Sequence, residues 1–201
     1  MSAIAELSAG FSDKVLSAQV TFRSVMEAMA RPGSVHHMTS DVGAVPGLMR
    51  GAAAIALTLF DHDTPVWLDP QLADAVVAAW LKFHTGAPVT ADASEASFAL
   101  VTDGASLPAL DGFALGSSEY PDRSTTVILQ VESLNKGLAY ELRGPGIDGA
   151  TTLNATIAPS DLFGRLAINA KLFPRGIDVV LVHDDAILAI PRTTRLVETG
   201  A

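Results

Sequence analysis

The sequence predicts a single α/β domain built on a mixed sheet. Helix-spaced segments and short strand-like runs alternate along the chain of 201 residues, a length that suits one domain. Thr126 to Val131 is a largely apolar run, expected of a strand covered on both faces. Ile177 to Val182 is the most strand-like run of all, and Asp184-Asp185 turns it back into Ile187 to Ile190 as a hairpin.

The elements follow in order. Phe22, Val25, Met26 and Met29 recur at one face of a helix, which should stop at Ala30-Arg31-Pro32-Gly33. Ser34 to Met38 reads as a short strand. Leu48, Ala52, Ile55 and Leu59 mark a second helix, broken by Asp61-His62-Asp63-Thr64-Pro65, and Val66-Trp67-Leu68 is a strand. Asp69-Pro70 suits an N-cap and first turn, opening a helix with Leu72, Val76, Ala79, Trp80 and Phe83 on one face, stopped at Gly86. Phe98 to Val101 is a strand. Thr126 to Val131, Leu138 to Leu142 and Leu153 to Ile157 look like an antiparallel meander, with Gly144-Pro145-Gly146 as a turn. Ser160 is expected to cap a helix running to about Leu172.

Composition narrows the function classes. Hydrophobic residues make up 49% of the chain, which points to apolar surface buried against partners. There is no cysteine, so disulfides and thiolate metal sites are excluded. Met1 to Gly10 lacks a basic leader, and no apolar run approaches the roughly 18 to 20 residues of a membrane span, so a cytoplasmic chain is expected. The net charge is −9, with ten carboxylates and one basic residue, Lys82, between Asp61 and Asp122. Such a chain is a poor binder of nucleic acid or anionic membranes. The acidic stretch is either a solvated face or a docking face for a basic partner.

Catalytic and metal motifs are sparse. His36 and His37 would point to opposite faces of a strand. Asp61-His62-Asp63 offers ligand types in a turn, but these residues are also ordinary turn formers. No nucleophile elbow, Walker pattern or dinucleotide-binding glycine motif occurs. In Glu119-Tyr120-Pro121-Asp122-Arg123, Arg123 either clamps an anionic ligand or pairs locally with Asp122 or Glu119. Arg175, Arg192 and Arg195 flank the C-terminal hairpin. Antiparallel pairing is expected to bring those ends together, as a polar interface, as solvated charge or as an anion site.

Seven ordered blocks between about residues 16 and 195 carry a resemblance to the PhnH family. They are Phe22 to Gly33, Leu57 to Leu68, Phe83 to Pro88, Tyr120 to Ser124 leading into Ile128 to Val131, Leu142 to Ile147, Phe173 to Asp178, and Ile190 to Thr194. The resemblance implies a three-layer α/β/α sandwich similar to the large domain of pyridoxal-phosphate-dependent transferases, without use of that cofactor. It also implies a homodimer that joins subunits G, I and J of the bacterial carbon–phosphorus (C–P) lyase core complex. With G, I and L, such a subunit supports synthesis of ribose 1-phosphonate 5-triphosphate from ATP and an alkylphosphonate. Radical C–P cleavage belongs to subunit J.

The residues agree with that reading. Lys14, Lys82, Lys136 and Lys171 sit in no recognisable Schiff-base motif, and an iron–sulfur cluster ordinarily needs cysteines. The family supplies no catalytic residue to transfer. The expectation is an assembly subunit without catalytic residues of its own. The alternatives are a subunit that lends Arg123, Arg175 or Arg192 to a transferase site, and an independent metal-dependent hydrolase using Asp61, His62 and Asp63.

Overall fold

The computed structural model describes residues 7–38, 41–73, 75–157 and 161–198. Helix α1 (Lys14–Ala30) begins where the Asp13 carboxylate accepts from the backbone N–H groups of Val15 and Leu16, and it ends at the expected Pro-Gly stop. After β1 (His36–His37) come α2 (Arg50–Leu59), β2 (Val66–Leu68), α3 (Ala75–Thr85), β3 (Val89–Thr90) and β4 (Phe98–Val101). The chain continues with β5 (Thr126–Gln130), β6 (Ser133–Arg143), β7 (Thr151–Thr156), α4 (Leu162–Asn169), β8 (Asp178–His183), β9 (Ala186–Ile190) and β10 (Arg195–Glu198).

Seven strands form a mixed sheet in the order β1-β9-β8-β5-β4-β2-β3. The run β3-β2-β4-β5-β8 is parallel, and β9 and β1 close one edge antiparallel. Both faces are covered, which is why the central strands are buried along their length. Leu100, Ile128, Val180, Val182 and Ile187 pack with α1, α2 and α3 on one face. Ala99, Val127, Leu129, Val179, Leu181 and Leu188 face the other core, with Leu162, Phe163 and Leu166 of α4.

That second face corrects one expectation. The meander does not form. β5, apolar on both sides, joins the main sheet between β4 and β8, whereas β6 and β7 pair in a separate three-stranded sheet, order β10-β6-β7. Only one face of that small sheet is apolar: Tyr140, Leu142, Leu153 and Ala155 point into the core. The layers are therefore helices, mixed sheet, and a third layer shared by α4 and three strands. Strand β10 has no forerunner in the sequence reading, because four residues of mixed polarity carry no period of their own.

Several helix faces also shifted. In α1 the buried residues are Thr21, Val25 and Ala28, while Phe22 and Met26 are exposed. In α3, Val77, Trp80 and Leu81 are buried, while Val76 and Phe83 are exposed. The Trp80 indole N–H donates to the Ser8 carbonyl at 2.9 Å, so an N-terminal strap decides which face turns inward. Asp69 caps a turn rather than α3, which starts six residues later. Helix α2 is buried from Gly51 to Ala56, its small side chains allowing close neighbours. The expected cap Ser160 lies outside the described residues; α4 starts after Asp161, and a 3-10 turn extends to Leu172.

Candidate functional site

The family-like blocks gather in space. Gly33 lies against Leu142 and Thr151, and Gly146 against Ala30 and Pro32, so the first and fifth blocks meet. Val66 N–H donates to the Pro88 carbonyl at 2.8 Å and Gly86 packs on His62, so the second and third blocks meet. The blocks around 121–124, 173–178 and 190–194 converge where β5 and β8 begin, and Thr126 is paired with Asp178 there.

Arg192 holds this third junction. Its Nε donates to Asp178 Oδ1 at 3.2 Å, and its Nη1 to the carbonyls of Pro121 at 2.7 Å and Pro174 at 3.4 Å. Its Nη2 donates to Ser124 Oγ and Asp178 Oδ2 in short hydrogen bonds. A guanidinium has five N–H donors in a fixed fork, and all five are engaged. The Arg192 backbone N–H also donates to Asp178 Oδ1 at 2.8 Å. Both side chains are nearly buried, 12% and 13% exposed. This pair holds the loops together and has no free donor for an anion.

A groove of about 360 Å³ opens over this junction, lined by Pro121, Asp122, Phe173, Pro174, Asp178, Pro191, Arg192 and Thr193. Asp122 and Arg192 are thus brought together. Arg123 is exposed and lies over the Tyr120 ring, 4.3 Å from its centroid. Among the described residues it makes no ion pair with Asp122 or Glu119, so the loop is ordered by stacking and by the Arg123 N–H to the Tyr120 carbonyl at 3.3 Å. Arg175 is exposed beside this groove in sequence but does not line it. Arg195 does not converge with the others: β10 carries it onto the small sheet, opposite Arg143.

Open α/β sheets usually bind ligands beyond the carboxyl ends of the strands, where the strand order reverses. Here that point lies between β2 and β4, and it is spanned by Asp69. Its Oδ1 accepts from the N–H groups of Gln71 and Leu72, and its Oδ2 from the backbone N–H (2.6 Å) and hydroxyl of Thr102. Asp69 is fully buried; two of these bonds close its own turn and two reach across to Thr102. Sequence reading found it only as a cap; its link to Thr102 needs the parallel pairing of β2 and β4. The groove over Arg192 sits at the opposite, amino ends of the strands.

The other candidates are ordinary. Among the described residues no group of three His, Asp or Glu side chains could hold a metal. His36 bonds Ser34 Oγ at 2.8 Å while His37 faces Asp185, on the other side of the strand. Asp61 accepts from the Asp63 N–H at 2.9 Å, closing the turn. Lys14, Lys82, Lys136 and Lys171 are all exposed, so none offers the desolvated amine that a pyridoxal phosphate Schiff base uses.

Residues 9–197 match the family described as "Bacterial phosphonate metabolism protein (PhnH)". The chain is 44% identical over 189 residues to the alpha-D-ribose 1-methylphosphonate 5-triphosphate synthase subunit PhnH of Rhizobium meliloti (strain 1021), covering 94% of each chain. It is 30% identical over 185 residues to HtxG of Stutzerimonas stutzeri, named as a candidate C–P lyase subunit, covering 91% of this chain and 87% of the relative. With a match across nearly its whole length, the chain belongs to the PhnH family of bacterial phosphonate metabolism proteins.

Proposed function

We propose that this chain is an assembly subunit of a C–P lyase core complex. In that role it supports, with subunits G, I and L, the synthesis of ribose 1-phosphonate 5-triphosphate from ATP and an alkylphosphonate. The carrying observation is the 44% identity over 94% of both chains to a named subunit of that synthase. The saturated Arg192 fits a scaffolding role, since the best-connected arginine of the family-like blocks is spent on holding loops. The finer proposals are a homodimer, contact with subunits G, I and J, residence in the cytoplasm, and kinship with the large domain of pyridoxal-phosphate-dependent transferases. Among the described residues no helix is long and apolar enough to cross a membrane. The test is mass measurement of the complex after co-expression with G, I and J. A chain that stays apart from all three sinks the proposal.

A second reading keeps Arg123 and Arg175, whose guanidinium groups are exposed, and drops Arg192, whose donors are all engaged. Arg175 makes no side-chain ion pair among the described residues, and one or both of these arginines would hold a phosphate or phosphonate oxygen at a shared transferase site. Charge-removing substitutions there should lower the rate of the assembled complex while leaving its composition intact. Loss of assembly instead assigns those arginines to an interface.

A further inference from the structure

A second pocket, separate from the groove over Arg192, lies between α4, the 3-10 turn that follows it, and the loop joining β4 to β5. Its volume is about 270 Å³. Leu110, Leu115, Ile168 and Leu172 give it apolar walls, and Ile168 stands 63% exposed at the rim. The walls are pinned in place. The buried Asn169 amide is bonded twice to the Ile177 backbone, at 2.9 Å each way, and the Gly176 N–H donates to the Leu115 carbonyl at 2.8 Å. Two ionic side chains line the same apolar pocket. Arg165 donates from Nε to Asp161 at 3.0 Å, and from Nη1 to the carbonyls of Leu107 at 3.1 Å and Pro108 at 3.3 Å. Its Nη2, with two N–H groups, has no partner among the described residues. Asp111, in the 3-10 turn Leu110–Gly112, has a carboxylate with no ion pair or hydrogen bond among the described residues.

We propose that this pocket binds a small zwitterion, an ammonium and an oxyanion carried on a short apolar body. The charges select that class. Arg165 and Asp111 line one pocket without pairing with each other, so each keeps an unused valence toward the same space. A simple anion would satisfy Arg165 and be repelled by Asp111. A simple cation would do the reverse. An uncharged apolar molecule would strip water from both groups and return no hydrogen bond. A zwitterion gives its oxyanion to Arg165 Nη2 and its ammonium to Asp111, and adds no net charge to a site that already balances. The guanidinium needs no reorganisation to accept it, because Nε and Nη1 are already anchored and Nη2 is left over. Asn169 supplies a further donor, since its amide nitrogen uses one of two hydrogens on Ile177. The volume lies just under the ~300 Å³ at which drug-sized sites begin, which suits a body of amino-acid size. The oxyanion is a carboxylate or a phosphonate: an α-amino acid and an aminoalkylphosphonate present the same pair of charges. The site is independent of the subunit assignment above.

Methyl NMR of the full chain tests this with two probes of one carbon skeleton, L-norvaline and 1-aminobutylphosphonate. At least one should give saturable shifts at the Leu115, Ile168 and Leu172 methyl groups below roughly 10 mM. The tighter of the two identifies the oxyanion. Butylamine and butylphosphonate, each lacking one charge, should bind about 10-fold more weakly or not at all. Asp111→Asn, at an exposed position, should weaken the zwitterion about 5-fold and leave the melting temperature of the chain unchanged. Arg165→Lys retains charge and should restore less binding than the parent, as a single ammonium must choose between the loop carbonyls and the ligand. Absence of saturable shifts with both zwitterions overturns the proposal. So does a butylphosphonate or butylamine affinity equal to that of the matched zwitterion, or binding unmoved by Asp111→Asn. If those methyl groups answer only to added subunits G, I and J, the pocket is a protein interface and the proposal falls, with complex membership intact.

Discussion

Asp178 receives Arg192 twice from the side chain and once from the backbone, so the first residue of β8 fixes the loop that follows β9. The two ends of the hairpin are thereby tied to Pro121 and Ser124 ahead of β5. Because both partners are nearly buried, removing one leaves an uncompensated charge. Arg192→Ala should cost about 3–5 kcal/mol of folding stability, measured by urea unfolding. Arg192→Lys should recover only part of it, since an ammonium with three donors cannot reach five acceptors spread around one plane.

Asp69 should be similarly intolerant. Both of its oxygens accept, and all four donors are N–H or O–H groups. Asp69→Asn would turn an amide NH₂ toward other donors. A loss of about 1–3 kcal/mol is expected. A melting temperature within a degree of the parent would show that Asp69 does not tie β2 to β4.

Two glycines should respond oppositely. A Cβ on Gly146, at φ +82°, would lie 2.0 Å from the Ala30 carbonyl oxygen. Gly146→Ala should therefore force apart α1 and the loop after β6, and yield little folded protein. Gly112 has open space and an ordinary φ. Gly112→Ala should be neutral or stabilising by about 0.4–1 kcal/mol. Solubility and thermal melts of the pair check both.

The Asp41 carboxyl is held below the usual carboxylate value, chiefly by the Ser12 hydroxyl, against a smaller opposing push from desolvation. A lowered folded pKa means that the stabilising contribution is present above the unfolded value, 3.8, and is lost as pH falls through the folded one. Ser12→Ala should move the Asp41 titration back up toward 3.8, read by carbon-detected NMR. An unchanged titration would mean that Ser12 does not hold the carboxylate.

Much of the element order is legible because the signals are local. Pro32-Gly33 stops α1, Val66-Trp67-Leu68 is β2, and Asp184-Asp185 turns β8 into β9. The family blocks were legible for the same reason. Arg195 shows where such reading ends. Antiparallel pairing predicts that it returns beside Arg175, but the chain leaves the main sheet after Ile190 and pairs with β6 from Arg195. Residues 191–194 hold no periodic pattern that announces this exit. Asp122 and Arg192 do share a groove, yet only the bond inventory of Arg192 reveals that its donors are engaged.

The sequence by itself determined the α/β class, most element boundaries and the family, since each rests on spacing within about a dozen residues or on ordered blocks. Tertiary structure alone decided which sheet each strand joined, which side of α1 and α3 turned outward, and which arginine holds loops together rather than meeting solvent. Those outcomes depend on contacts between residues tens of positions apart, such as Trp80 with Ser8 and Arg192 with Pro121. No local period encodes such contacts.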